Sequence, residues 1–508
     1  MKKFILTIIC LNLLSTNCFS AVRWKNDTRQ MFQKNKLKIM EINPRTFGAK
    51  DINGNGIIEP EIGETTGNFI SALDRLDELK ELGINAIHVM PVTPVGMHRA
   101  LGTAGSLYAL ADFSSINPQL DIKNNNMDLF REFENFVYEA HLRNIRIIVD
   151  LPSCGSYDLY LKHPEIFYLS ENEEPVSPSD WLDVYLFKTL NEDGTLNEKL
   201  LDYHKEFIDI MIKAKVDGIR ADVATIKPYQ FWEKLIKYTR AYNSELLFLA
   251  EASNSWTEPP CKESVFTPYK KLLEAGFDGY YGSYFNFKDW EKAEELKNQI
   301  KLDNSLSVKF KDRKSVIASF MTHDEQSPIL IGGYNYAAQL IWLNSVLPVN
   351  SYFVDGIQSG DNYIYPYANQ KAEKTMTDNL YYYVHKGKPD IFNFSRQPGG
   401  DFPQLKKEIE LSNKFKTYAY DVTAFGNFNL VKTNNKEVFA FIRKYANKTI
   451  LVILNKNRNT RNKVSIKYKN LSKHDFSTIK SLSVFNITKN KMITELEPSE
   501  IIILYEEK

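Results

Sequence analysis

From about residue 37 to residue 360, short apolar runs rich in β-branched residues alternate with longer amphipathic stretches. The runs at 37–42 (LKIMEI), 84–90 (INAIHVM), 145–151 (IRIIVDL), 216–222 (VDGIRAD) and 246–251 (LLFLAE) read as strands. Those at 278–284, 315–321 and 349–355 complete a set of eight. Between them lie helical patterns such as 69–82 (FISALDRLDELKEL) and 127–142 (MDLFREFENFVYEAHL). Eight strands, each followed by a helix-sized stretch, predict an α/β fold, a (β/α)₈ TIM barrel over 21–410 with a short insertion after strand three at about 151–200. The tail changes character. Strand-like runs at 438–445, 449–455, 464–468 and 501–505 are separated by Asn/Lys-rich turns, which predicts a C-terminal all-β sandwich over 411–508.

The chain has 508 residues, 43% of them hydrophobic, enough to bury the cores of two or three domains. Lys plus Arg total 64 against 63 Asp plus Glu, with no long basic block. Nothing there points to nucleic acid or an anionic membrane, and a neutral substrate fits the balance. At the N-terminus, Lys2 and Lys3 precede an apolar run from Phe4 to Leu14. That run is shorter than the ~20 residues a membrane span needs and has the layout of a signal peptide over 1–20, cleaved before Ala21. The expectation is a secreted or periplasmic protein without an integral membrane segment, the alternative being lipid anchoring through Cys18. Of the four cysteines, Cys10 and Cys18 fall in that leader; Cys154 and Cys261 remain, which is no disulfide framework, with pairing of the two after export left open.

In a (β/α)₈ barrel the chemistry collects at the C-terminal ends of the strands. Asp150, Asp222 and Glu251 close strands three, four and five, and Asp324 lies just past strand seven. Arg220 and Asp222 are two apart on one strand and so share a face, where the guanidinium favours the ionised carboxylate a nucleophile needs. Glu251 ends an apolar strand, a setting that raises its pKa and suits a general acid. The blander role for any one of these acids is a helix N-cap or a surface position.

Three ordered segments, GIRAD (218–222), FLAEA around Glu251, and FMTHDE with His323 and Asp324, resemble motifs of the α-amylase family (glycoside hydrolase family 13). SLYALADF (106–113) is similar to that family's loop after strand two, and Asp150 stands where its strand-three motif begins. The resemblance implies a retaining glycosidase acting on α-glucans or maltooligosaccharides. Asp222 would be its nucleophile, Glu251 its proton donor, and Asp324 the residue that holds the sugar hydroxyls. It also implies Arg220, His323 and Asp150 around the −1 subsite, with Tyr108 stacked beneath that sugar. A transglycosylase of the same family and a non-catalytic carbohydrate-binding barrel are the alternatives. Two departures stand out. Where the family's strand-three motif carries an Asn-His pair this chain has Cys154 and Gly155, and where the strand-four motif carries Lys-His it has Thr225 and Ile226.

A second site follows strand one. In DINGNGIIE, oxygen donors stand at Asp51, Asn53, Asn55 and Glu59, with the Ile57 carbonyl between them and glycines that permit tight turns. Alternating oxygen ligands around glycine suit Ca²⁺. The loop resembles a calcium loop found at this place in α-amylase-family glucosidases, and a structural Ca²⁺ is the expectation.

Overall fold

The computed structural model describes residues 24–508 except 51, 54–58, 101–104, 123–126, 179, 180, 182, 260, 311 and 361–401. The expected leader, and Asp51, Asn55 and Ile57 of the expected calcium loop, lie outside the described residues.

Eight parallel strands form the barrel: β1 (Lys38–Ile42), β2 (Ala86–Val89), β3 (Arg146–Leu151), β4 (Gly218–Ala221), β5 (Leu247–Ala250), β6 (Gly279–Tyr280), β7 (Ser315–Val316) and β8 (Ser351–Val354). Each pairs with its sequence neighbour, and β8 returns to β1. Asn350 N donates to Val316 O at 2.9 Å and Ala318 N to Asn350 O at 2.8 Å, which joins β7 to β8 and closes the ring. Strands six and seven keep only two residues each of the longer runs expected. Gly279 shows how tightly they meet: a Cβ there would sit 2.2 Å from the Ser315 carbonyl oxygen.

Side-chain alternation separates two cores. Ile39, Ala86, Ile148, Leu247, Leu249 and Ile317 fill the barrel interior with Phe32 of the N-terminal helix Thr28–Gln33. Met40, Ile87, Val89, Ile147, Val149 and Ile219 belong to the larger core shared with the helices. One interior layer higher, the apolar series stops. Glu41 pairs in register with His88, and Asp150 with Arg220, so the layer at the C-terminal mouth is charged.

Helix Leu129–Leu142 matches its predicted span and is capped by Asp128, whose side chain accepts from Arg131 N. The single helix expected over 69–82 is two, Phe69–Leu73 and Leu76–Glu81. At the break Arg75 turns to Asp355 beyond β8, with bonds of 2.9 and 2.8 Å.

The domain boundary expected at 410/411 falls inside helix Leu405–Tyr418, and a further helix, Tyr420–Phe425, precedes the first strand of the tail at Asn427. That tail forms a five-stranded and a four-stranded antiparallel sheet. Alternate residues of Val438–Tyr445 point to opposite partners. Phe439 and Phe441 join the barrel's helical core, whereas Val438, Ala440 and Ile442 pack on the second sheet. No described helix is long and apolar enough to cross a membrane.

Candidate active site

The charged layer is built around Arg220, which is fully buried. Its Nη1 lies 2.9 Å from both Asp150 carboxylate oxygens and 2.9 Å from Asp222 Oδ1. Its Nη2 lies 2.9 Å from Glu251 Oε2, and its Nε donates to Tyr281 Oη at 3.0 Å. One guanidinium thus draws together the acids that end strands three, four and five. The sequence places these residues at successive strand ends, and the closed ring turns them inward.

The acids titrate differently because their surroundings differ. Burial pushes Asp150 up, but Arg220 and His88 outweigh it and hold the carboxyl below its usual range. For Asp222, burial outweighs the arginine, and its pKa ends raised rather than held down as the sequence suggested. Glu251 is pushed up furthest, again by burial against the opposing pull of Arg220, with the Asp222 charge adding to the rise. Of the two, Glu251 is raised the more and is the better placed to hold a proton. Glu251 Oε2 accepts from Val223 N at 2.7 Å. Asp222 lies between Arg220 and the Ser153 N–H, which is 3.1 Å from its Oδ2.

Val223 holds this geometry at a cost. It is a β-branched residue at φ +30°, in the left-handed region, directly after Asp222. Such a conformation costs about 1–3 kcal/mol and persists where neighbours over-determine it. Here Val223 N bonds the Glu251 side chain and Ala224 N bonds the Glu251 carbonyl.

On the opposite wall, the His323 ring stacks on Tyr108 at 5.5 Å and 18°. Tyr108 Oη donates to Asp150 Oδ2 at 2.8 Å and lies 3.1 Å from His323 Nε2. His323 Nδ1 lies 2.6 Å from Glu41 Oε1, and its Nε2 is 3.4 Å from Asp324 Oδ1. Burial pulls the imidazole down, but Asp324 and Glu41 raise it to about 10, so His323 is a cation. Asp324 is 41% exposed at its side chain and lines the cleft. All seven residues expected at the catalytic centre are therefore brought to one barrel mouth.

Sequence reasoning passed over several others. Glu41 and His88 are polar interruptions of apolar strands, the same signal that marked Asp150, while Tyr281 and Ser153 carried no local signal. Lys227 is buried with Nζ 2.9 Å from the Ser153 carbonyl, and burial lowers it to about 8.

The acids open into a cleft of about 560 Å³. One wall comes from the insertion after β3, with Trp181 and Asp183, and another from the segment after β5, with Trp256 and Glu258. Cys154 and Gly155 join a small sheet with Ala109–Leu110 and Tyr185–Leu186. A Cβ on Gly155 would meet the Phe167 ring at 2.5 Å. Cys154 packs with Ile226 in one apolar cluster, where Cys261 also lies, and both thiols are free.

In the loop after β1, Asn53 Nδ2 lies 2.5 Å from Glu59 Oε2. Glu64 closes the loop, accepting from the backbone N–H groups of Ile52, Asn53 and Glu59. Among the described residues no cluster of three His, Cys, Asp or Glu could hold a metal.

Comparison with known proteins agrees with this geometry. Residues 428–503 match the family model for the maltogenic amylase C-terminal domain. An α-1,4-glucan:maltose-1-phosphate maltosyltransferase of Arcanobacterium haemolyticum is 23% identical over 423 residues, 79% of this chain. The match spans only 55% of that relative's length. Alpha-amylase 3 of Dictyoglomus thermophilum is 22% identical, with 78% of this chain and 82% of the relative covered. Among solved structures, an α-amylase from Lactobacillus plantarum superposes with a TM-score of 0.67 at 18% identity, over 93% of this chain and 99% of that one. A maltogenic α-amylase from Thermotoga neapolitana gives 0.65 at 21% identity, over 94% and 100%. The barrel, the C-terminal sheets and the relatives agree, and the proteins this chain resembles along most of its length are α-amylases and related α-glucan enzymes.

Proposed function

We propose that the protein is a retaining glycosidase acting on the α-glucosidic bonds of α-glucans or maltooligosaccharides. The observation that carries the reading is the single buried guanidinium contacting Asp150, Asp222 and Glu251 at the floor of an open cleft. Asp222 attacks the anomeric carbon while Glu251 gives its proton to the departing glycosidic oxygen, and that C–O bond breaks. Glu251, now ionised, takes a proton from water, whose oxygen attacks the same carbon and releases Asp222. Asp150, whose carboxyl Arg220 holds below its usual range, serves as a positioning charge rather than as the acid. Two inversions give net retention.

A second reading, transfer to a sugar acceptor, is favoured by the two tryptophans at the cleft wall, whose rings offer stacking surfaces for an incoming sugar. Incubation with maltooligosaccharides of defined length separates the two, because hydrolysis yields only shorter chains and transfer yields longer ones as well. Asp222→Asn should abolish both, and a first-formed product of inverted configuration would overturn the assignment of Asp222.

The loop after β1 is proposed to hold a structural Ca²⁺. The side chains of Asn53 and Glu59 meet there, the Asn53 amide nitrogen donating to Glu59, and the Glu59 carboxylate is the kind of oxygen donor a hard cation takes. Export, with the leader removed, remains part of the proposal and is tested by the N-terminal sequence of protein from the native host.

A further inference from the structure

A second concave site lies between helix Ala293–Lys309 and the edge strand Asn427–Leu430 of the C-terminal domain. It encloses about 650 Å³ and shares no lining residue with the catalytic cleft. Its described lining holds four cationic residues, Lys297, Lys301, Arg313 and Arg443, and no Asp or Glu. Lys297 and Lys301 are exposed and one helical turn apart, an arrangement of like charges that costs a helix some stability. Asp312, beside Arg313, is occupied by Arg29 at 2.7 Å.

The two arginines retain unused donors. Arg443 is 1% exposed, and its terminal nitrogens bond the carbonyls of Val346, Thr423 and Gly426. Its Nε has no acceptor, and neither has the buried Nε of Arg313. Both arginines line the groove, so it carries two guanidinium groups whose donors the chain's own acceptors do not use up. The other lining is of a different kind. Phe425 lies under the Arg313 guanidinium at 4.8 Å, Phe428 is half-buried, and Asn427 and Asn429 expose amides along the strand edge.

Cations alone would suit any anion, but a groove of this size is far larger than a bare phosphate requires. Half-buried aromatic rings beside exposed amides suit the apolar faces and hydroxyls of a sugar. We propose that this groove binds a short acidic saccharide, a sugar chain bearing a phosphate or carboxylate group, at a site separate from the catalytic cleft. Phosphate and carboxylate share the recognising chemistry, oxygen anions that pair with guanidinium and ammonium groups.

Titration calorimetry on the full chain tests this, in the Asp222→Asn background so that nothing is turned over. The probes are maltose 1-phosphate, digalacturonate, neutral maltose and inorganic phosphate. At least one acidic sugar should bind tenfold or more tightly than maltose, weaken as salt is raised, and lose tenfold or more in Lys297→Glu/Lys301→Glu. Which acidic sugar binds identifies the anion. Arg313→Gln should weaken the same probe, and the two lysine substitutions should leave turnover of maltooligosaccharides in the otherwise wild-type chain unchanged. Acidic sugars binding no better than maltose, or binding equally well to the lysine variant, would overturn the proposal. So would inorganic phosphate binding as tightly as either acidic sugar, the mark of an anion site only. A catalytically inert protein that still passed these tests would leave the groove standing and remove only the glycosidase reading.

Discussion

Substituting Glu41 by Gln removes a charge from the catalytic wall while keeping its shape. Glu41 Oε1 lies 2.6 Å from His323 Nδ1, and its Oε2 accepts from His323 N at 3.1 Å. Opposite charges whose centres lie about 4 Å apart interact by about 4 kcal/mol at an effective dielectric of about 20. That is about three pH units at about 1.36 kcal/mol each. The His323 imidazolium, held at about 10 in the native protein, should therefore titrate at about 7 in Glu41→Gln. The sign follows from linkage. A histidine raised above its unfolded value of about 6.5 contributes stability below that value and loses it as pH rises through the folded pKa. Between pH 7 and 10 this group should cost the wild type about 1.4 kcal/mol per pH unit, a slope Glu41→Gln should nearly lack. Urea unfolding of both proteins at several pH values measures the difference, and NMR titration of ¹³C-labelled histidine, assigned with His323→Gln, reads the imidazole directly. The reasoning fails if His323 of the variant still titrates above pH 9, or if the two stability curves run parallel.

Further tests address other parts of the molecule. Arg220→Met leaves Asp150, Asp222 and Glu251 buried without their cation and should cost about 3–5 kcal/mol by denaturant unfolding. Asp150, no longer held down, should then have a folded pKa above its unfolded one, so the variant's deficit should be smaller at pH 5 than at pH 8. Gly155→His drives a side chain into the Phe167 ring and should lower stability by about 1–3 kcal/mol or more, read as a fall in melting temperature. If the loop after β1 binds Ca²⁺, chelation should lower the melting temperature, and saturation at about 100-fold above Kd should restore about 2.7 kcal/mol. Glu59→Ala should erase that difference, whereas an unchanged native melting curve on chelation removes the metal from the account.

Much of the barrel could be read from periodicity, because strands buried on both faces are continuous apolar runs and the helices between them are amphipathic. Strands six and seven were legible as segments but not in extent, since two-residue pairings depend on how closely Gly279 lets its neighbour approach. The boundary of the last domain was not readable. Helix Leu405–Tyr418 belongs to the barrel's packing, and its pattern resembles a polar surface until Trp342 and the helix Pro328–Val346 are placed against it. Within the site, strand-end acids announced themselves, and Glu41 and His88 carried the same mark. Ser153 and Lys227 did not, because their roles arise from contacts between separate loops. The rise of the Asp222 pKa was hidden for a related reason: sequence spacing gives the arginine but not the depth of burial that opposes it.

The packing around Gly155 bears on how this cleft can change over generations. The two motif departures form one body: Cys154 sits against Ile226, and the space a side chain at 155 would need is already taken by Phe167 and Phe187. A side chain introduced at 155 alone would meet those two rings. A larger residue at 155 therefore requires Phe167 and Phe187 to change with it, and the wall varies as a unit. Substitutions are accommodated more readily at the part-exposed rim around Trp181 and Trp256 than at this packed floor.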